Sequence, residues 1–152
     1  MPSRALAAAL AACLLAAAAA CDDGPTTPRD ELRDARRRWE AARPAAYAFT
    51  FERLCFCPVE LTRPTVVTVR GGAVESLRYV DGGGPVDPRF ASAYPTIDGL
   101  FDAIAEALAR PPASFSATYD PARGYPVRVD IDPIRDAVDE EVGYRVRDWR
   151  QL

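Results

Sequence analysis

The sequence predicts an α+β domain in which two helices pack on one face of a curved, mainly antiparallel sheet of about six strands, in the order α-β-β-β-α-β-β-β. Three observations carry this. Tyr47, Phe49 and Phe51 alternate with Ala48, Thr50 and Glu52 at the period of a half-buried strand. Two segments, around Leu32–Trp39 and Ile97–Leu108, place apolar residues at the three-four spacing of a helix face. The remaining β-rich runs are separated by Gly-Gly and Asp-Pro-x-x-Gly turns short enough to return the chain antiparallel to itself.

A chain of 152 residues has room for one such domain and a targeting segment. All 19 basic residues are arginine, and Lys, His and Asn are absent altogether. Those absences exclude chemistry. There is no Ser–His or Cys–His nucleophile pair, no imidazole metal ligand, no Schiff-base lysine and no phosphate-loop lysine. The net charge of −3, mixed in sign along most of the chain, supplies no basic stripe for nucleic acid. No catalytic residue, metal site or cofactor is indicated, and the balance leans away from an enzyme.

In chain order, Arg4 is followed by an unbroken run of Ala, Leu and Cys from Ala5 to Ala20, which reads as a signal peptide over residues 1–20. The run is short for a bilayer core of ~30 Å, so a permanent membrane helix is the second reading. Small residues ending at Cys21, with the polar linker 21–26 directly behind, resemble the lipobox of bacterial lipoproteins, which implies lipid attachment at Cys21. The match departs from the lipoprotein pattern at Ala18, where leucine is preferred. Leu10-Ala11-Ala12-Cys13 fits locally, but cleavage there would leave the apolar run Leu14 to Ala20 on the mature chain. Cleavage near Ala20 with free secretion is the alternative.

Residues 27–152 form the single predicted domain. Thr27 has the place of an N-cap, Pro28 that of the first helical residue, and Asp30 follows three after the cap. Leu32, Ala35, Trp39 and Ala42 share one face, and Pro44 ends the helix. The triplet Arg36-Arg37-Arg38 reads as a solvated face rather than a contact for lipid headgroups. The aromatic strand follows, from Tyr47 to Pro58. Thr65–Arg70 and Ala73–Val80 make a hairpin at Gly71-Gly72, with Val67 and Val69 facing Val74 and Ser76. From Asp81 to Pro95 glycines and prolines exclude regular structure. Thr96 caps the second helix, whose stripe of Ile97, Leu100, Phe101, Ile104 and Leu108 ends at Pro111-Pro112. Ser114–Tyr119, Tyr125–Asp132 and Val142–Trp149 complete the sheet; in the last, Tyr144 and Val146 point one way, Arg145 and Arg147 the other.

Several of these segments together resemble a family of bacterial envelope lipoproteins that is defined by sequence and has no assigned function. The resemblance rests on Trp39, on Cys55-Phe56-Cys57-Pro58 closing the aromatic strand, and on Val67, Val69, Gly72 and Val74 of the hairpin. It continues in Pro95-Thr96-Ile97 and in Tyr119-Asp120-Pro121 with Gly124-Tyr125-Pro126 and Asp130. It implies a place in the cell envelope, lipid-anchored and exported, and a fold. It implies no activity. The partners expected are the bilayer, through the N-terminal anchor, and an envelope protein; the function expected is non-catalytic binding or structure.

Cys55 and Cys57 are the one constellation with chemistry in it. They share strand parity with the aromatic residues, and in an exported chain paired thiols are normally oxidised. Residues two apart in a regular strand stand about 6.4–6.8 Å apart, at the limit for a disulfide, so a bridge demands a bend at Phe56 and strain. An internal structural bridge is the first reading; a thiol-redox pair or soft-metal site is the alternative, and free or intermolecular thiols the third. The turn bearing Tyr119, Arg123 and Tyr125 is a candidate partner-binding surface, against the plainer reading of a packed structural turn. Asp130, Asp132 and Glu141 fall at the first, third and twelfth positions of an EF-hand-like loop, but Ile134 and Arg135 occupy the fifth and sixth, so solvated turn acids are favoured over calcium ligands.

Overall fold

The computed structural model describes residues 26–152 apart from Val138. The expected signal peptide, Cys13 and Cys21, the expected site of lipid attachment, lie outside the described residues, among which no helix is long and apolar enough to cross a membrane. The elements are α1 (Pro28–Ala42), β1 (Ala46–Leu54), the one-turn α2 (Val59–Thr62), β2 (Thr65–Arg70) and β3 (Ala73–Tyr79). A 3-10 segment, Pro88–Ala93, precedes α3 (Ile97–Ala109), β4 (Ser114–Tyr119), β5 (Pro126–Asp132) and β6 (Val142–Gln151). Strand and long-helix order are as the sequence predicts. The additions are α2 and the 3-10 segment, both too short to carry a readable apolar period.

All six strands form one open antiparallel sheet in the order β3-β2-β1-β6-β5-β4. The aromatic strand β1 is therefore interior, held by β2 on one side and β6 on the other. Tyr47, Phe49 and Phe51 face the helices and are essentially inaccessible. On the opposite face Ala48 and Thr50 are small, and their cross-strand partners Arg150 and Arg147 are long enough to shade them.

Local chemistry sets both long helices. Thr27 and Asp30 form a reciprocal capping box, Pro28 occupies the first turn, and Leu32, Ala35 and Trp39 are buried. Ala42, expected on that face, is exposed because it lies in the last turn, beyond the reach of the sheet. On α3 all five expected residues are buried, and the Thr96 hydroxyl accepts from Gly99 N–H at 3.1 Å. The two helices run antiparallel, with Arg43 beside Asp98, Arg36 beside Asp102 and Arg29 donating to the Leu108 carbonyl.

Two bulges shift the expected register. In the hairpin, Gly71 and Gly72 take φ of 56° and 80° as a tight turn requires, but a bulge after Thr68 pairs Val67 with Leu77 and leaves Ser76 opposite Thr68. In β6 two residues, Asp148 and Trp149, face the single Phe49 of β1, and Asp148 takes φ 53° while accepting from the Thr50 hydroxyl at 3.0 Å. The extra residue returns Trp149 to the core face that strict alternation from Val146 would deny it. There it stacks on Tyr125 at 5.7 Å and meets the edge of Trp39 at 6.2 Å. Trp39 also meets Tyr47 at 5.2 Å and donates from its ring N–H to Asp98 at 3.3 Å. A second helix, two strands and a turn converge on that indole.

Candidate binding rim at the disulfide

At the end of the sheet where β1 stops, the chain turns out of the ladder at Leu54. Cys55, Phe56 and Cys57 form a bend, and Pro58, which cannot donate to a ladder, leads into α2. The expectation that both cysteines continue the strand on one face is thereby corrected. They are joined by a disulfide with Cα atoms 5.4 Å apart, within the ordinary range, because the backbone has already left extended geometry. Joined in this way, neither sulfur is a nucleophile or a thiolate ligand.

Closing a ring through residues 55 and 57 drives the residue between them outward. Phe56 is 80% exposed, the most exposed of the large apolar side chains among the described residues, and Leu54 and Val59 beside it in sequence are exposed too. Beneath this tip lies an open cavity of about 560 Å³. Leu54, Cys55 and Phe56 form one wall; Ser114, Asp132 and the loop acids Asp139 and Glu141 form others. Gly143 keeps the floor open, since a side chain there would press within 3.3 Å of Leu54 and Asp130.

The acids do not assemble into a cation site. Asp130 accepts from Arg128 at 2.7 Å and from Arg145 at 2.6 Å. Burial pushes its carboxyl upward, but the two guanidinium hydrogen bonds prevail and hold it below the ordinary carboxylate range, which unsuits it to act as a general acid. Asp132 accepts from the backbone N–H of Ile134. Among the described residues no three His, Cys, Asp or Glu side chains are grouped closely enough to hold a metal. Asp136 and Asp139 adopt left-handed φ of 65° and 78°, which their short side chains tolerate better than most.

The Tyr119–Tyr125 turn lies elsewhere, against α1. Asp120 Oδ1 accepts from Ala122 and Arg123 N–H at 3.1 and 2.6 Å, and Gly124 N–H returns to the Asp120 carbonyl at 2.8 Å. Both tyrosine rings pack inward, Tyr119 stacked on Phe101 and Tyr125 on Trp149. Arg123 covers the Trp149 ring, its guanidinium carbon 4.6 Å from the centroid. Of the three candidates only Arg123 is exposed, and the two tyrosines are half-buried. The arginine triplet of α1 is also engaged in part, Arg36 with Asp102 and Glu40, Arg37 with Asp34.

The fold and the rim together define a small α+β domain with one open antiparallel sheet, two packed helices and a disulfide-closed apolar tip over an acid-lined hollow. The chain belongs to the family of unknown function DUF6174, whose sequence profile matches residues 31–151. No curated protein and no solved structure matches it. Phe56 was not singled out as a site residue from the sequence; its position between two near-adjacent cysteines is the signal that could have found it.

Proposed function

We propose that the protein is a non-catalytic binding module of the bacterial cell envelope, exported by residues 1–20, anchored through lipid on Cys21, and making contact through the disulfide rim. One observation carries the rim: Phe56 is held in water at the tip of a turn locked by a covalent bridge, where an unpartnered aromatic ring gains nothing for folding. A rigid aromatic group beside a hollow is the form that interface anchors take. A photo-crosslinking residue in place of Phe56 should give discrete adducts with an envelope component in intact cells, and the same group in place of Arg33, on the outer face of α1, should not. Equal labelling at both positions, or none at Phe56, would remove the rim from consideration.

A second reading is favoured by the half-exposure of both cysteines, of which Cys55 lines the cavity. Reduced by a dithiol, which is itself oxidised to a disulfide, the pair would supply two thiolates for redox exchange or a soft metal such as Cu(I). Catalysed reduction of insulin, or copper retained through gel filtration by the reduced protein, would favour it over binding alone.

A further inference from the structure

Resting on the anchoring at Cys21, we infer that the disulfide rim is the face laid against the bilayer and that Phe56 inserts at its interface. Cys21 precedes Thr26 by five positions, so the lipid attachment point lies at most about 18 Å from the start of the domain. That start is at the rim's own end of the molecule. Thr27 and Pro28 border an apolar groove with Leu108, Pro112 and Phe115, and Ser114 lines both that groove and the cavity under Phe56. The opposite end, where Arg70 pairs with Ala46 beside the Gly71-Gly72 turn, lies a full length of β1 away, about 30 Å for nine residues. A short tether therefore brings the rim to the membrane first.

The side chains at that end suit a neutral interface. Phe56 and Val59 are exposed apolar groups, and Ile134, two residues beyond the cavity-lining Asp132, is exposed as well. Aromatic rings favour the headgroup level of a bilayer, and a ring fixed by a disulfide loses little conformational freedom on entering it. Asp132, Asp139 and Glu141 line the cavity, so a zwitterionic surface fits better than an anionic one. Nor does α1 offer a polybasic surface in compensation, since Arg33 and Arg37 are each paired with an aspartate.

The test uses full-length lipidated protein in phosphatidylcholine–phosphatidylethanolamine vesicles whose acyl chains carry bromine, which quenches nearby tryptophan. Three proteins are compared: the wild type, Phe56→Trp, and Arg70→Trp at the far end, both substitutions being at exposed positions. The emission added by Phe56→Trp should fall about twofold relative to unbrominated vesicles, as expected for a ring ~5–10 Å into the interface, and the emission added by Arg70→Trp should not change. Phosphatidylglycerol in the vesicles should weaken the quenching. Unquenched Phe56→Trp in protein that floats with the vesicles overturns the insertion and leaves the anchor intact, as does equal quenching at both positions. Protein that fails to float at all overturns the anchor and the insertion together.

Discussion

The hydroxyl oxygen of Tyr47 accepts a hydrogen bond from the backbone N–H of Ile97 at 3.2 Å, tying the interior strand β1 to the first turn of α3 across fifty residues of sequence. The Ile97 N–H is one of the donors that a helix start leaves without an intrahelical partner, and it is fully buried here. Tyr47→Phe keeps the ring and strands that donor, so it should cost about 1–3 kcal/mol in urea denaturation. Tyr119→Phe is the contrasting case. The Tyr119 hydroxyl has no partner among the described residues, so removing it should be neutral or slightly stabilising.

The same two phenols set an alkaline limit. Burial pushes both Tyr47 and Tyr119 up to about 12, with the charges of Asp98 and Glu31 respectively adding to it. Unfolded tyrosines ionise near pH 10, so above that the unfolded chain releases protons that the folded chain retains. Their contribution is complete below about pH 10 and is lost as pH rises toward 12. Phenolate absorbance should show two tyrosines lagging the others, and Tyr119→Phe should both remove one laggard and soften the alkaline fall in stability.

Period and punctuation made most of the fold legible. Alternation from Tyr47 to Phe51 and the stripe from Ile97 to Leu108 have one physical solution each, and both are buried as read. Trp149 was not legible in the same way. Its place in the core depends on one extra residue at Asp148, whose left-handed backbone has no glycine to announce it. The cysteines were half legible: their pairing follows from proximity and from the expectation of export, but that the strand ends before them, and that Phe56 is thereby thrown outward, depends on three-dimensional pairing with β6. The hollow beneath is lined by residues from β1, β4, β5, β6 and the loop before β6, so no contiguous pattern could mark it.

Gly124 and Gly82 separate backbone strain from crowding. Both have positive φ, 83° and 79°, where a Cβ costs ~1–2 kcal/mol. At Gly82 an added Cβ meets nothing within 4 Å, whereas at Gly124 it would stand 2.1 Å from the Ala35 carbonyl oxygen and 2.9 Å from Arg38 Cβ. Gly82→Ala should therefore cost only the conformational term. Gly124→Ala must push the turn off α1 as well, which adds roughly 1–3 kcal/mol of overpacking and should loosen Tyr125 from Trp149. A similar loss in the two variants, read from chemical denaturation, would mean that the turn does not lean on the helix.

The disulfide should matter little to global stability. With one residue between the cysteines, the closed loop is so short that the chain-entropy relation gives about 1–2 kcal/mol, and the bridge lies at an exposed rim rather than among the aromatic rings of the core. The paired variant Cys55→Ser with Cys57→Ser should lose about that much, and reductant should produce the same loss in the wild type and none in the variant. Alkylation of the denatured, unreduced protein should leave both cysteines unmodified, and alkylation after reduction should mark both. What the variant should lose is the fixed position of Phe56: amide exchange from Leu54 to Val59 should quicken while that of Phe49 and Val67 stays slow. If exchange instead quickens throughout β1 and β2, the bridge is a staple of the whole sheet, and the rim is no longer a separable element.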